Sequence, residues 1–366
     1  MEYVQERVTT LHDLSAATPD APIDRTAVVV PMTEQEYASP ATEHILTTLE
    51  SLSPARVVVP LRAAADRVVS FAEWLSEFDL SLDIVWCDGP RLESLLNDAN
   101  LDGQRGKGRD VWVALCAAFD EEYVVVHDAD AKIYGDHYVP RLLFPLAHGY
   151  DFSKGYYARV EDNRLYGRLF RLFYTPLVRA LADELDAPIV DYLASFRYAL
   201  AGEFAMTGDL ARQIRPQRTW GLELGTLGDA YDFAGFDKSA QVDLGAYVHD
   251  HRAVGGATGL SEMSTSVGET LLRVVVERGG VPDFDTLPDR YRAAGMKLVE
   301  QYATDAAFNG LDFDSEGERA QVETYAEAVV EPSGDDRLPA WTDAPITPGE
   351  VLAETQSDLR AALRET

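Results

Sequence analysis

From Ala27 onward, short β-branched apolar runs alternate with stretches whose apolar residues recur at helical spacing. Residues 27–31 (AVVVP) read as a first strand, Met32 to Glu36 as a loop and Ala41 to Leu52 as a helix. Arg56 to Pro60 then reads as a second strand, Val68 to Glu77 as a helix and Leu82 to Cys87 as a third strand. Arg109 to Ala118 is a helix feeding a fourth strand at Tyr123 to Val126. Beyond it come a helix over Tyr138 to Ala147, a strand-like Tyr150 to Tyr157 and a helix around Pro176 to Leu185. Strands and helices alternating at this spacing predict an α/β fold with a mainly parallel sheet flanked by helices. From about Ser266 the pattern becomes amphipathic helix, and Glu331 to Pro348, rich in Pro, Asp and Gly, reads as a surface linker before a last helix. The organisation predicted is an N-terminal extension over 1–25, an α/β domain over 26–275 and a mainly helical region over 276–366.

Composition narrows the function classes. The chain carries 62 acidic and 32 basic residues, a formal net charge of −30, and its only lysines are Lys107, Lys132, Lys154, Lys238 and Lys297. Self-repulsion on this scale loosens a compact chain at low ionic strength and is screened in molar salt, a balance associated with halophiles. A nucleic-acid partner is disfavoured, since phosphate neutralisation needs a basic surface. Cys87 and Cys116 lie in apolar contexts without metal spacing, which points to a reducing compartment. No apolar run approaches the ~18 residues of a membrane span, and Met1 to Glu6 shows no signal-peptide pattern. A cytoplasmic protein is expected.

The candidate chemistry sits where the fourth strand stops, at His127-Asp128-Ala129-Asp130. In open α/β sheets ligands gather at the carboxyl ends of strands. In an extended segment residues two apart point the same way, so Asp128 and Asp130 can face one Mg²⁺ or Mn²⁺ whose other positions go to phosphate oxygens. A strand-end turn with two solvated acids is the alternative. Gly106-Lys107-Gly108 sets a cation and pliant backbone at a helix start, suited to a diphosphate, although the motif alone reads better as a surface turn. Gly202-Glu203-Phe204 and residues 220–225 (WGLELG) place acids among aromatic residues and glycines, and residues 242–252 read as a strand ending in His249 and His251.

The order of these motifs resembles the glucosyl-3-phosphoglycerate synthases: VVVP, GKGRDVWVAL, VVVHDAD, YVPRLLFPL, SKGYYAR, GRLFRL, LAGEF, WGLELG, QVDLGAYVHDHR and LSEMS, spread over roughly residues 26–275. That family consists of retaining glycosyltransferases of the GT-A fold, related to the mannosyl-3-phosphoglycerate synthases. The resemblance implies that Asp130 and His249 hold the divalent metal, while Asp128 with Ala129 takes the ribose or sugar side of the donor. Lys107, beside Gly106, would meet the uridine or its diphosphate, with Asp130, Lys107 and Glu223 as the catalytic set. Pro31, Met32, Thr33, Glu34 and Glu36 would border the base, and Leu200, Trp220 and Glu223 would surround the hexose. Gly167, Arg168 and His251 would bind the acceptor, a small phosphorylated or carboxylated molecule such as 3-phosphoglycerate, and Glu262-Met263-Ser264 would form a loop closing over the donor. Three positions depart from the family: Val59 to Arg62 replace an Asp-Ser turn near the base, Phe170 replaces a small hydroxyl residue, and His251 replaces an asparagine. The donor expected is UDP-glucose, with GDP-mannose as the alternative, and a homodimer is compatible. A nucleotidyltransferase would carry a glycine- and arginine-rich loop after the first strand, which Met32 to Glu36 does not supply. A silent scaffold would more readily have lost the Asp-x-Asp pair.

Overall fold

The computed structural model describes residues 3–248 and 256–364. In chain order it comprises β1 (Thr9–Leu11), β2 (Thr26–Val29), β3 (Met32–Thr33), α1 (Pro40–Leu52), β4 (Arg56–Arg62), α2 (Ala65–Leu75), β5 (Leu82–Trp86), α3 (Pro90–Asp98), α4 (Lys107–Ala118), β6 (Tyr123–Val126), α5 (Tyr138–Ala147) and β7 (Phe152–Ala158). A small ribbon, β8 (Val160–Glu161) with β9 (Arg164–Leu165), and a π-helical segment over Leu169–Tyr174 follow. Then come α6 (Thr175–Ala182), α7 (Pro188–Ala194), β10 (Phe204–Thr207), α8 (Gly208–Ala211), α9 (Leu222–Phe233), β11 (Ser239–Ala246), α10 (Gly256–Glu277), α11 (Leu287–Asn309), α12 (Ser315–Ala326) and α13 (Pro348–Arg364).

Nine strands form the main sheet in the order β1-β11-β7-β10-β6-β2-β4-β3, with β5 also on β4. Every residue of β2 and β6 is buried, which is why both read as unbroken apolar runs rather than alternating ones. Successive side chains still go to opposite faces: Ala27 and Val29 join the core that holds Trp112 and Val113, whereas Val28 and Val30 pack with Ile45 and Leu46. Helix α1 shows how local chemistry sets a boundary. The Ser39 hydroxyl accepts from the Thr42 amide at 3.2 Å, Pro40 sits in the first turn, and Ser53 ends the helix in the left-handed region.

Three features depart from the sequence expectation. β10 runs antiparallel between β6 and β7, inserting a reversed strand where pattern alone gave no direction. Thr9–Leu11, within the expected N-terminal extension, pairs in parallel with β11 and edges the sheet. The segment 331–347 is irregular as expected but is not a surface linker. Leu338 and Trp341 are buried, Trp341 stacks on Trp112 with ring centroids 3.9 Å apart, and each indole N–H donates to backbone of the other segment, at 2.9 Å to the Trp112 carbonyl and 2.8 Å to that of Pro339. Beyond this strap, α13 packs on α3, where the buried Asp358 carboxylate accepts from the Arg91 and Leu92 amides at 2.9 and 3.1 Å. Gly89 offers α3 no side-chain cap, so the capping carboxylate arrives from the end of the chain.

Candidate functional site

From β2 the chain runs outward through β4 to β5 on one side and then crosses back to place β6 on the other side of β2. The gap beyond the carboxyl ends of β2 and β6 is therefore the switch point of the sheet, where an α/β fold leaves a crevice. Val30-Pro31 leaves one lip and His127-Asp128-Ala129-Asp130 the other. His127 is fully buried, and among the described residues neither ring nitrogen has a hydrogen-bond partner. Burial pulls its pKa down to about 3, so it stays a neutral part of the wall.

Three elements bring one cation to two acids. Lys107 is the first residue of α4, Glu223 lies in the first turn of α9 and Asp128 follows β6. The Lys107 ammonium donates to Asp128 Oδ1 at 2.5 Å and to Glu223 Oε1 at 2.9 Å. Burial opposes the charge on Lys107, but the Asp128 and Glu223 carboxylates outweigh it and hold the pKa above the ordinary lysine value. Glycine permits the assembly at two places. A Cβ on Gly108 would lie 1.7 Å from the Gln217 carbonyl oxygen, and one on Gly202 would lie 2.2 Å from Asp128 Oδ2. Backbone thus packs directly against the helix start and against the first acid of the Asp-x-Asp pair.

These groups border a cleft of about 680 Å³. Of the residues singled out in the sequence, Pro31, Met32, Thr33, Glu36, Gly106, Lys107, Asp128, Ala129, Asp130, Leu200, Trp220 and Glu223 line it together. Glu34 does not, because its carboxylate accepts from the Ala64 amide at 2.7 Å. Arg168 is exposed and Gly167 packs near Tyr198, while the adjacent Leu169 does border the cleft. His249 and His251 lie outside the described residues. Met263 lines the cleft, but Glu262-Met263-Ser264 belongs to α10 and is not a loop.

Several lining residues were not among the candidate site residues, although Arg62 ends the segment Val59 to Arg62 already noted as departing from the family near the base. Arg62 and Asp110 form a pair at 3.1 Å on the β4 side of the cleft, where burial raises the Asp110 pKa to about 6. Arg105 stands nearby, held by Asp88 at 3.1 Å and by Glu93. On the opposite side lie Tyr157, Tyr198 and Arg159, whose guanidinium donates to the Tyr198 hydroxyl at 3.4 Å while its buried Nε has no partner among the described residues. The position of Arg62 at a strand's carboxyl end was a signal available beforehand. Arg159 sits one residue past β7, within the SKGYYAR motif.

Asp128 and Asp130 supply hard oxygen donors, which fit Mg²⁺ or Mn²⁺. Among the described residues no cluster of three or more His, Cys, Asp or Glu forms a metal cage, and His249, the further ligand expected from the sequence, lies outside them. Among the described residues, no helix is long and apolar enough to cross a membrane.

No family model matches the chain. Among curated proteins it is similar to the glucosyl-3-phosphoglycerate synthase of Methanococcoides burtonii, 35% identical over 94% of each chain, and to that of Persephonella marina, 34% identical over 86% of this chain and 84% of the other. Among solved structures it is similar to Mycobacterium tuberculosis glucosyl-3-phosphoglycerate synthase. The complex with Mg²⁺ and uridine diphosphate gives a TM-score of 0.56 at 25% identity, covering 75% of this chain and 88% of that one. The complex with Mn²⁺, UDP-glucose and phosphoglyceric acid gives 0.57 at 24% identity, covering 76% and 89%.

Proposed function

The chain belongs to the glucosyl-3-phosphoglycerate synthase family, and on that premise we propose that it moves glucose from a nucleoside diphosphate glucose to 3-phosphoglycerate with retention at the anomeric carbon. The observation that carries this reading is the meeting of Lys107, Asp128 and Glu223 beside Asp130 at the switch point. A bound Mg²⁺ or Mn²⁺ would be held by Asp130, with His249 as its further protein ligand, and would supply charge neutralisation for the departing diphosphate.

The chain's own groups divide the remaining work. Lys107 keeps a permanent positive charge through its two carboxylates and presents it where the diphosphate leaves. Because Asp128 and Glu223 orient it from two elements, the cation is fixed before substrate arrives. The same two acids can accept from donor hydroxyls on their remaining lone pairs, with Glu223 assigned to the hexose between Leu200 and Trp220. The bond from the anomeric carbon to the β-phosphate oxygen breaks, the acceptor hydroxyl oxygen bonds to that carbon on the same face, and its proton passes to the departing diphosphate. The acceptor's anionic groups belong on the side opposite Arg62. Arg159 faces the cleft there, and Arg168 stands just outside it beside Leu169.

The test is turnover in high salt with 3-phosphoglycerate and UDP-glucose or GDP-glucose. Activity should vanish in EDTA, return with Mg²⁺ or Mn²⁺, and give an α-linked product from the α-linked donor. Full activity in EDTA, or an inverted product, rejects the reading.

A further inference from the structure

The cleft has two arms on either side of the Asp128–Asp130 centre. One lies over β7 and the π-helical segment, with Tyr157, Arg159 and Leu169; the other lies over β3 and β4. On the transferase reading the diphosphate lies at Lys107 and the hexose between Leu200 and Trp220, which leaves the arm over β3 and β4 for the nucleoside. The nucleoside end of the donor thus falls on the second arm, where two arginines stand.

Those arginines differ in how their donors are used. Arg105 is engaged at both terminal nitrogens, by Asp88 and by Glu93. Arg62, opposite Thr33 in the β3–β4 register, is held only through Nε, which donates to Asp110 Oδ2 at 3.1 Å. Its two terminal nitrogens make no hydrogen bond or ion pair among the described residues, and its side chain is 33% exposed at the cleft. Asp110 is no surface partner: its side chain is 2% exposed in the first turn of α4, and its other oxygen accepts no hydrogen bond among the described residues, with the buried Arg109 guanidinium 3.9 Å away. Burying a carboxylate that makes a single hydrogen bond is costly. A surface ion pair would not need that arrangement, whereas holding one cleft-lining guanidinium by its Nε, with both terminal nitrogens left over, does.

Resting on the transferase reading, we propose that Arg62, positioned by Asp110, reads the base of the donor by donating to a keto oxygen. Uracil at O4 and guanine at O6 accept such a bond. Cytosine and adenine carry an amino group at the same place, which would set donor against donor and leave the guanidinium unpaired. The keto base is therefore selected against its amino counterpart of equal ring size, while the choice between pyrimidine and purine rests on the room in this arm.

The experiment is calorimetric titration of the full chain, in molar KCl with Mg²⁺, with UDP, CDP, GDP and ADP. Wild type should bind UDP more tightly than CDP, or GDP more tightly than ADP, by about tenfold or more. Comparing UDP with GDP identifies which keto base is the better ligand. Arg62→Met should bring the ratio within the preferred pair close to one by weakening the keto nucleotide. Arg62→Lys, which keeps the charge and loses the fork, should lower the same ratio severalfold and covers the event that the methionine variant does not fold. A ratio unchanged in the variants, or equal weakening of all four nucleotides, would make Arg62 a phosphate or ribose contact and overturn the proposal. Nucleotide binding by wild type without keto preference also overturns it, while leaving the transferase reading intact. Failure of wild type to bind any of the four would reject that reading too.

Discussion

Lys107 and Lys154 are both lysines inside the protein, and their surroundings give them opposite roles. Lys107 has two carboxylates and a cleft before it. Lys107→Met should lower kcat by about 10²-fold or more, the usual scale for removing one group that stabilises developing charge; wild-type turnover would reject its role. Lys154 is 1% exposed, donates to the Ala201 carbonyl at 2.6 Å and faces the Phe204 ring at 5.2 Å. Burial first, then the Lys107 charge, lowers its pKa to about 8, against the opposing pull of Glu223, Glu203 and Asp128. Since its folded pKa lies below the unfolded value, the unfolded chain binds the proton more tightly. The penalty is complete below pH 8 and is relieved as pH rises from about 8 to 10.5, by roughly 3 kcal/mol at most. Wild type should thus gain stability relative to Lys154→Met across that window in denaturant titrations, and parallel curves would contradict the assignment. At the acceptor end, Arg159→Ala should raise the KM for 3-phosphoglycerate at least about tenfold and leave donor KM nearly unchanged, because only the acceptor would use its fork. The kinetics of Arg168→Ala, measured alongside, tell which arginine carries the anion.

At the level of elements, the close approach of the residues before β10 to the exit of β6 makes Gly202 a sensitive position. A Cβ there collides with the Asp128 carboxylate, so Gly202→Ala should reduce donor affinity far more than global stability. Calorimetry with the nucleotide and a denaturant titration would separate the two. This is also where pattern failed. β2, β4, β5, β6, α1 and α2 were legible because strand hydrophobicity and helical period are local, and so was the Asp-x-Asp turn, since its residues are adjacent. The direction of β10 was not, because an antiparallel strand between β6 and β7 is fixed by pairing with chain some fifty and eighty residues distant rather than by its own text. Asp110 and Arg159 were missed for a similar reason, and Arg62 was noted only as the end of a segment departing from the family near the base: each is a single charged residue at or near an element end, and only tertiary packing brings them to one cleft. The strap was misjudged because Pro, Asp and Gly predict irregular backbone well and burial poorly. Trp341→Ala should cost about 3–5 kcal/mol, the range for emptying a buried aromatic site, and an unaltered denaturation midpoint would show the strap to be superficial.

Over the whole molecule, a net charge of −30 sets the conditions under which any of this can be measured. Many of its arginines sit in exposed pairs such as Arg25–Glu122 and Arg319–Glu300, and pairs of this kind contribute little each. Unpaired acids therefore dominate the field. The melting temperature should rise between about 0.1 M and about 3 M KCl as the screening length falls severalfold; equal values would mean that the acidity is not a salt adaptation. The strap has a consequence of a different kind. Trp112, in the helix that opens with Lys107, stacks on Trp341, and the first turn of α3 is capped by Asp358. Contacts of such sequence separation form late, after the cost of closing a long loop has been met. During synthesis the residues around Lys107 therefore leave the ribosome well before Trp341 and Asp358, so these two contacts are added to them only when the later part of the chain arrives.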